Sequence, residues 1–284
     1  MTFSIITVNY NNKEGLRQTI ESVERLLSTK YEFIIIDGGS TDGSVDIIRE
    51  HEDSITYWIS EKDNGIYNAM NKGIRQARGE FVNFMNSGDT FFQPNVLEMI
   101  EPYLKGNDIV IGKEFHKAPI SGDTATTFLP DRLSMATFVA GFLPHQSGFI
   151  RRTLFDSMLY DESLRIVSDW KFYMTQIVYN SCSVKLIDTI VCRREQGGIS
   201  NSAKDLNKKE RLQVLEGLLP PGVLKDYYSL MNLDKTTLFK LLNLCDDKKM
   251  CRLLVVCIKL INRLHTIVRL FREHRQILRN FITN

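Results

Sequence analysis

The first hundred residues alternate short apolar runs with segments whose apolar residues recur every three or four positions. Residues 3–8 form a β-rich run that ends in the polar turn 9–12, and residues 16–27 place Leu16, Ile20, Val23, Leu26 and Leu27 at helical spacing. Residues 33–36 predict a second strand, ending at Asp37-Gly38-Gly39-Ser40, followed by a short helix over 44–49. A third strand is expected at 55–59, a helix at 66–77 (Ile66, Met70, Ile74, Ala77) and a fourth strand at 80–85. Repeated β-α-β units with short connections imply an α/β fold with a mostly parallel central sheet flanked by helices.

The pattern then loosens. A helix is expected at 94–104, with Pro94 in its first turn, and a strand at 108–111. A hairpin or excursion follows over 113–127, then a short helix at 131–138 and a strand at 146–150. A helix over 168–179 and a strand over 184–193 close the sheet region before the turn Gln196-Gly197-Gly198. From residue 202 the period is helical, interrupted only by Pro220-Pro221. This predicts one domain over 1–200 and a C-terminal helical region over 201–284.

Composition narrows the class. With 43% hydrophobic and 25% charged residues in 284, the chain has the makeup of a globular protein. Its net charge of +2 leaves no nucleic-acid footprint. The cysteines, Cys182, Cys192, Cys245, Cys251 and Cys257, form no CxxC pair, which argues for reduced thiols and against a zinc site. The N-terminus has no signal-peptide pattern, and no uncharged run approaches the roughly 20 residues of a membrane span. A cytoplasmic location is expected.

Candidate chemistry gathers at strand ends, where open α/β sheets bind ligands. The strand at 80–85 runs into Asn86-Ser87-Gly88-Asp89, a small-residue turn with one carboxylate. Before it lies a polar, glycine-punctuated segment from Asp63 to Gly73. No GxGxxG follows the first strand, which disfavours a nicotinamide or flavin site. Asp37 reads either as a ligand for a ribose or base N–H or as a turn aspartate. Asp42 reads as the cap of the next helix.

The ordered blocks SIITVNYNN, IIIDGGSTDGS, EKDNGIYNAMNKGI and NSGD resemble family 2 of the inverting glycosyltransferases, which have the GT-A nucleotide-diphospho-sugar-binding fold. The resemblance runs from about residue 2 to 92 and resumes at 144–152, at Ser168-Asp169-Trp170 and at Gly197-Gly198-Ile199-Ser200. It implies that Thr7, Asn9 and Tyr10 line the base and ribose and that Asp37 pairs with the base. It implies that Asp63, Asn68 and Lys72 contact the nucleotide and the sugar diphosphate. Ser87, Gly88 and Asp89 match the family's DxD-type turn, with Asp89 holding Mn2+ or Mg2+ on the diphosphate. Asp169 matches the catalytic base, and the segment around Gly198 matches a loop over the diphosphate. The turn departs from the family in having Asn86 and Gly88 where many relatives have carboxylates. Four residues keep two readings. His145 reads as a diphosphate or acceptor contact or as structural, and Trp170 as an acceptor platform or as core. Arg193 and Arg194 read as diphosphate ligands or as a solvated strand end.

The expected activity is transfer of a hexose from a UDP-sugar to a glycan or lipid-linked glycan in cell-surface polysaccharide synthesis. The alternatives are an inert sugar-nucleotide-binding scaffold and a nucleotidyltransferase. Residues 250–279 set apolar positions such as Leu253, Cys257, Leu260, Leu264 and Val268 among arginines and lysines, with Glu273 the one acid. That amphipathic pattern predicts either peripheral contact with the inner face of the cell membrane or packing against neighbouring helices or a second subunit in a homodimer.

Overall fold

The structure, a computed structural model, describes residues 1–117, 124–127, 129–130, 133–195 and 203–231, together with Val256 and Leu260. Four strands carry the N-terminal half: β1 (Phe3–Asn9), β2 (Tyr31–Asp37), β3 (Tyr57–Ser60) and β4 (Phe81–Phe84). Between them run helices α1 (Lys13–Glu24), α2 (Ser44–Glu50) and α3 (Ile66–Gln76). All three pairings in this half are parallel. Both sheet faces are covered, so the strands read as continuous apolar runs rather than alternating ones. In β2, Phe33 and Ile35 enter one core while Ile34 and Ile36 enter the other. Asn12 caps α1 by accepting the Gly15 amide. The expected cap Asp42 accepts the Ser44 amide from just outside the cap position, Gly43, and also takes the Lys13 amide, tying the starts of α1 and α2 together.

The second half is mixed. It comprises β5 (Thr90–Phe91), α4 (Val96–Ile100), β6 (Ile109–Lys117), β7 (Thr124–Thr126), α5 (Met135–Ala140) and β8 (Gly148–Arg151). α6 (Leu154–Ser157), α7 (Ser168–Met174) and β9 (Val184–Arg193) follow. The sheet order is β3-β2-β1-β4-β8-β6-β9-β5, with β7 on β6. β8 lies antiparallel between β4 and β6, β9 returns parallel to β6, and β5 pairs antiparallel with β9. The mostly parallel sheet expected from the sequence therefore describes the N-terminal strands, and the sheet as a whole is mixed. β5 had no pattern of its own, because two residues are too few to show one.

The chain divides into two compact units, 1–227 and 228–284. The boundary expected near residue 200 falls inside the first unit, because α8 (Lys204–Leu218) docks there. Val214 and Leu215 join the core, and Glu210 accepts the amides of Arg165 and Ile166. α9 (Pro221–Met231) follows, with Leu224 in the same core. The basic segment 250–279 lies outside the described residues except for Val256 and Leu260, which are helical and exposed. Among the described residues no helix is long and apolar enough to cross a membrane.

Candidate active site

Two turns are laced together at the carboxyl ends of β1 and β2. Asn9 Nδ2 donates to Asp37 Oδ1 at 2.7 Å, and Asn11, at φ 48°, accepts the Thr41 amide. Asp37 is fully buried. Its carboxylate takes the Asn9 amide group, the Ser40 and Ser60 hydroxyls, and the backbone amides of Gly39 and Ser40. Burial opposes its charge, but these donors outweigh the cost and hold its pKa below the ordinary carboxylate value. Asp37 is thus the keystone of the turn, and a nucleotide base would have to replace one of its existing partners.

Tyr10 and Asp63 both approach Gly38 in this turn. Tyr10 is 66% exposed, and a Cβ on Gly38 would stand 3.2 Å from its ring and 2.5 Å from Asp63 Oδ2. The absence of that Cβ lets an aromatic ring and a carboxylate both approach the turn backbone. Asn68 and Lys72 are held by acids, Asn68 Nδ2 by Glu162 at 2.7 Å and Lys72 Nζ by Glu61 at 2.7 Å. Thr7, expected to line the base and ribose, is not beside them. It is fully buried and gives its hydroxyl to the Met85 carbonyl, because its position in β1 points it into the seam with β4.

A second cluster surrounds the turn after β4. Gly88 has φ +99°, a conformation that L side chains rarely adopt. A Cβ there would collide with the Glu195 carboxylate, which lies across the turn. The Glu195 amide donates to Asp89 Oδ1 at 2.9 Å, and the Asn12 side chain donates to the Ser87 carbonyl at 3.2 Å. Asp89 is 5% exposed. Burial raises its pKa to about 7, opposed by the Glu195 amide and reinforced by the charge of Glu114. Glu114 itself follows two register shifts in β6, a bulge of the kind that re-aims side chains beside active sites. It is fully buried, with its pKa raised to about 6 by burial, and its partner is Arg194 at 3.8 Å.

Asp169 stands in the first turn of α7, half-buried, and Tyr67 donates its hydroxyl to Asp169 Oδ1 at 2.7 Å. Its charge acts on Glu114, and the charge of Glu114 acts on Asp89. Three of the residues that kept two readings lie away from this carboxylate or face outward. His145 is buried against Phe84 with ring centroids 4.9 Å apart, and its Nε2 pairs with the Tyr160 hydroxyl at 2.8 Å. Burial holds its pKa below the ordinary value against the charge of Asp169, so it is a neutral core histidine. Arg193 turns outward over Phe115 and Phe92, and Arg194 faces Glu114 in its place, because successive residues of a strand point to opposite faces. Trp170 is buried, donating to the Phe138 and Gly141 carbonyls under the Arg211 guanidinium. Gly198 lies outside the described residues.

Comparison with known proteins fits this arrangement. Residues 4–138 match the family described as Glycosyl transferase family 2. An uncharacterized glycosyltransferase of Mycobacterium tuberculosis is 30% identical over 215 residues, covering 70% of this chain and 77% of that protein. The chain belongs to glycosyltransferase family 2. A PGL/p-HBAD biosynthesis glycosyltransferase of Mycobacterium bovis is 26% identical over 218 residues, covering 74% and 83%. Solved structures share the GT-A fold. S. aureus TarS 1–349 in complex with UDP-GlcNAc gives a TM-score of 0.62 at 18% identity, covering 85% of this chain and 76% of that one. A mannosyltransferase from Pyrobaculum calidifontis in complex with GDP-Man and Mn2+ gives 0.60 at 14%, covering 91% and 79%.

The residues at the turn fit a cation shared with a diphosphate rather than one enclosed by protein. Among the described residues no group of three or more His, Cys, Asp or Glu could hold a metal alone. Asn86 Oδ1, however, is a buried oxygen with no hydrogen-bond partner, in the same turn as Asp89. Hard divalent cations accept such a set of one or two carboxylates when substrate phosphates complete the shell.

The sequence reading missed Glu114, Tyr67, Glu195 and Arg211. Tyr67 sits inside the quoted EKDNGIYNAMNKGI block, which by itself gives it no role. Glu114 carried no signal, because its burial depends on the bulge and on pairing with β9, 70 or more residues away.

Proposed function

We propose that this family 2 enzyme transfers a hexose from a UDP-sugar to a glycan or lipid-linked glycan acceptor, with inversion, in cell-surface polysaccharide or glycolipid assembly. The observation that carries the reading is the turn after β4, where the Asp89 carboxylate and the unpartnered Asn86 carboxamide oxygen are both buried. A displacement at the anomeric carbon needs a base on one side and charge stabilisation of the leaving diphosphate on the other. Asp169 takes the proton of the acceptor hydroxyl as its oxygen bonds to the anomeric carbon and the bond to the diphosphate oxygen breaks, which is worth roughly 10²–10⁴-fold. Asp89 and the Asn86 carboxamide oxygen would hold a divalent cation, Mn2+ or Mg2+, which would supply positive charge for the leaving diphosphate. Arg194 adds a cation at the same place. Tyr10 stacks on the base, with Asp63 on the ribose and Asn9 and Asp37 fixing the turn that orients both.

Support for a UDP donor comes from TarS, whose structure holds UDP-GlcNAc, and the GDP-Man of the archaeal neighbour makes the choice of base the first thing to test. Support for a glycolipid acceptor comes from the mycobacterial relative named for PGL/p-HBAD biosynthesis. The basic amphipathic segment 250–279 supports contact with an anionic membrane face, and truncation near residue 245 should then release the protein from membranes.

The experiment is a transfer assay over UDP- and GDP-sugars with divalent cation added or chelated, reading the anomeric configuration of the product. Inverted product from a UDP-sugar, formed at least about 100-fold more slowly by Asp169→Asn and by Asp89→Ala, is expected. A product of retained configuration, or full turnover by Asp169→Asn, overturns the mechanism.

A further inference from the structure

We propose that Tyr67 is a positioning residue that fixes the Asp169 carboxylate for the acceptor and ties it to the donor-binding segment. The proposal rests on the reading of Asp169 as the base. A carboxylate's terminal torsion is broad and roughly two-fold, so a half-buried aspartate is not oriented by its own rotamer. At Asp169 the orientation comes from outside. Tyr67, 4% exposed, donates its hydroxyl to Oδ1 at 2.7 Å, and among the described residues no other side chain hydrogen-bonds this carboxylate. With Oδ1 occupied, Oδ2 is left to receive the acceptor proton. Burial and the charge of Asp169 push the Tyr67 pKa well above its ordinary value, which keeps the phenol a donor.

Tyr67 is itself held. One turn on in α3, Asn71 donates to the Tyr160 carbonyl at 2.9 Å and to Glu162 at 2.8 Å, and accepts the Tyr160 amide at 3.0 Å. The Tyr67 and Tyr160 rings lie 5.6 Å apart. Tyr67 is therefore packed against the segment that Asn71 fastens to α3. It also lies two residues after Gly65, whose amide donates to Asp63, the acid proposed for the ribose. A single helical turn thus links the donor-binding turn to the base. The other groups whose environment includes the Asp169 charge are Glu114 on β6, His145 before β8, Tyr160, Tyr173 on α7 and Arg211 on α8, and none of them hydrogen-bonds it.

The test is a double-mutant cycle of Tyr67→Phe and Asp169→Asn in the full chain, with steady-state transfer and UDP affinity both measured. Tyr67→Phe alone is expected to lower kcat about 10- to 100-fold, the range that one hydrogen bond to a charged group spans in rate. Its donor KM and UDP affinity should stay within about two-fold, where general damage to the fold would move all of them. In the Asp169→Asn background the same change should have no further effect on the residual rate, since no carboxylate is left to be oriented for the proton. Unchanged kcat in Tyr67→Phe, or equal effects in both backgrounds, overturns the proposal while leaving the base reading intact. Normal turnover by Asp169→Asn removes the base reading and the proposal with it.

Discussion

The donor side and the catalytic side of this sheet are held together over different distances along the chain. On the donor side Asn9, Asp37 and Asp63 stand at or just beyond the ends of consecutive strands, and each is fixed mainly by residues in the adjoining turns. On the catalytic side Asp169 is bonded by Tyr67, and its charge acts on Glu114 and Arg211, each from a different element. The donor turns are thus assembled by local chain geometry, and the catalytic pocket by pairings between distant strands and helices. The first kind of site tolerates change elsewhere in the fold, whereas the second depends on several remote contacts at once.

The largest effect on stability should come from the keystone of the local half. Asp37→Asn leaves several buried donors facing an amide group and should cost about 3 kcal/mol by urea unfolding at pH 7. Because its folded pKa lies below the ordinary 3.8, this contribution is present above that pH and is lost as pH falls through the lowered value. A loss of UDP affinity with unchanged stability would make Asp37 a base ligand instead of a keystone.

Glu114 tests the non-local half with the opposite sign. Its folded pKa of about 6 exceeds the ordinary 4.5, so the folded state loses stability as pH rises through that window. Glu114→Gln should therefore stabilise the fold by about 2 kcal/mol at pH 8, and by nothing measurable at pH 4, in paired thermal melts. An equal shift at both pH values would show that the carboxylate's charge is not the cause.

Smaller effects mark the seam and the rim. Asn83, fully buried on β4, donates to the Gln146 and Gly148 carbonyls at 2.9 Å each and so joins the two halves. Asn83→Ala should cost about 1–2 kcal/mol, softened because its own Oδ1 already lacks a partner. Amide exchange should then rise in β4 and β8 before it rises in β2. Tyr10→Ala should leave stability within about 0.5 kcal/mol. Its UDP affinity, read by calorimetry, should fall by roughly 10-fold through lost stacking.

Much of the donor half was legible in the chain itself. Strands β1, β2 and β4 and helices α1 and α3 fall within a few residues of the periodic segments, because both faces of the parallel strands are buried and local spacing records that burial. The turns after β1, β2 and β4 were legible as glycine- and asparagine-rich stops. The individual roles within them were less so. Thr7 and His145 have suitable chemistry for a ligand, but the strand pleat and the Phe84–Tyr160 aromatic nest turn them into the core. The choice between Arg193 and Arg194 needed the phase of β9, which the sequence does not mark.

By itself the sequence determined the α/β class, the family blocks and the pair of acids, Asp89 and Asp169, proposed to do the chemistry. These are recorded in residue type and short-range order, which act before any distant contact forms. Only the tertiary structure decided that the sheet turns mixed after β4, that α8 joins the first unit, and that Glu114 and Tyr67 stand beside the acids. Those outcomes depend on strand register, a bulge and the burial of polar groups by elements far apart in the chain, where the environment rather than the residue sets the role.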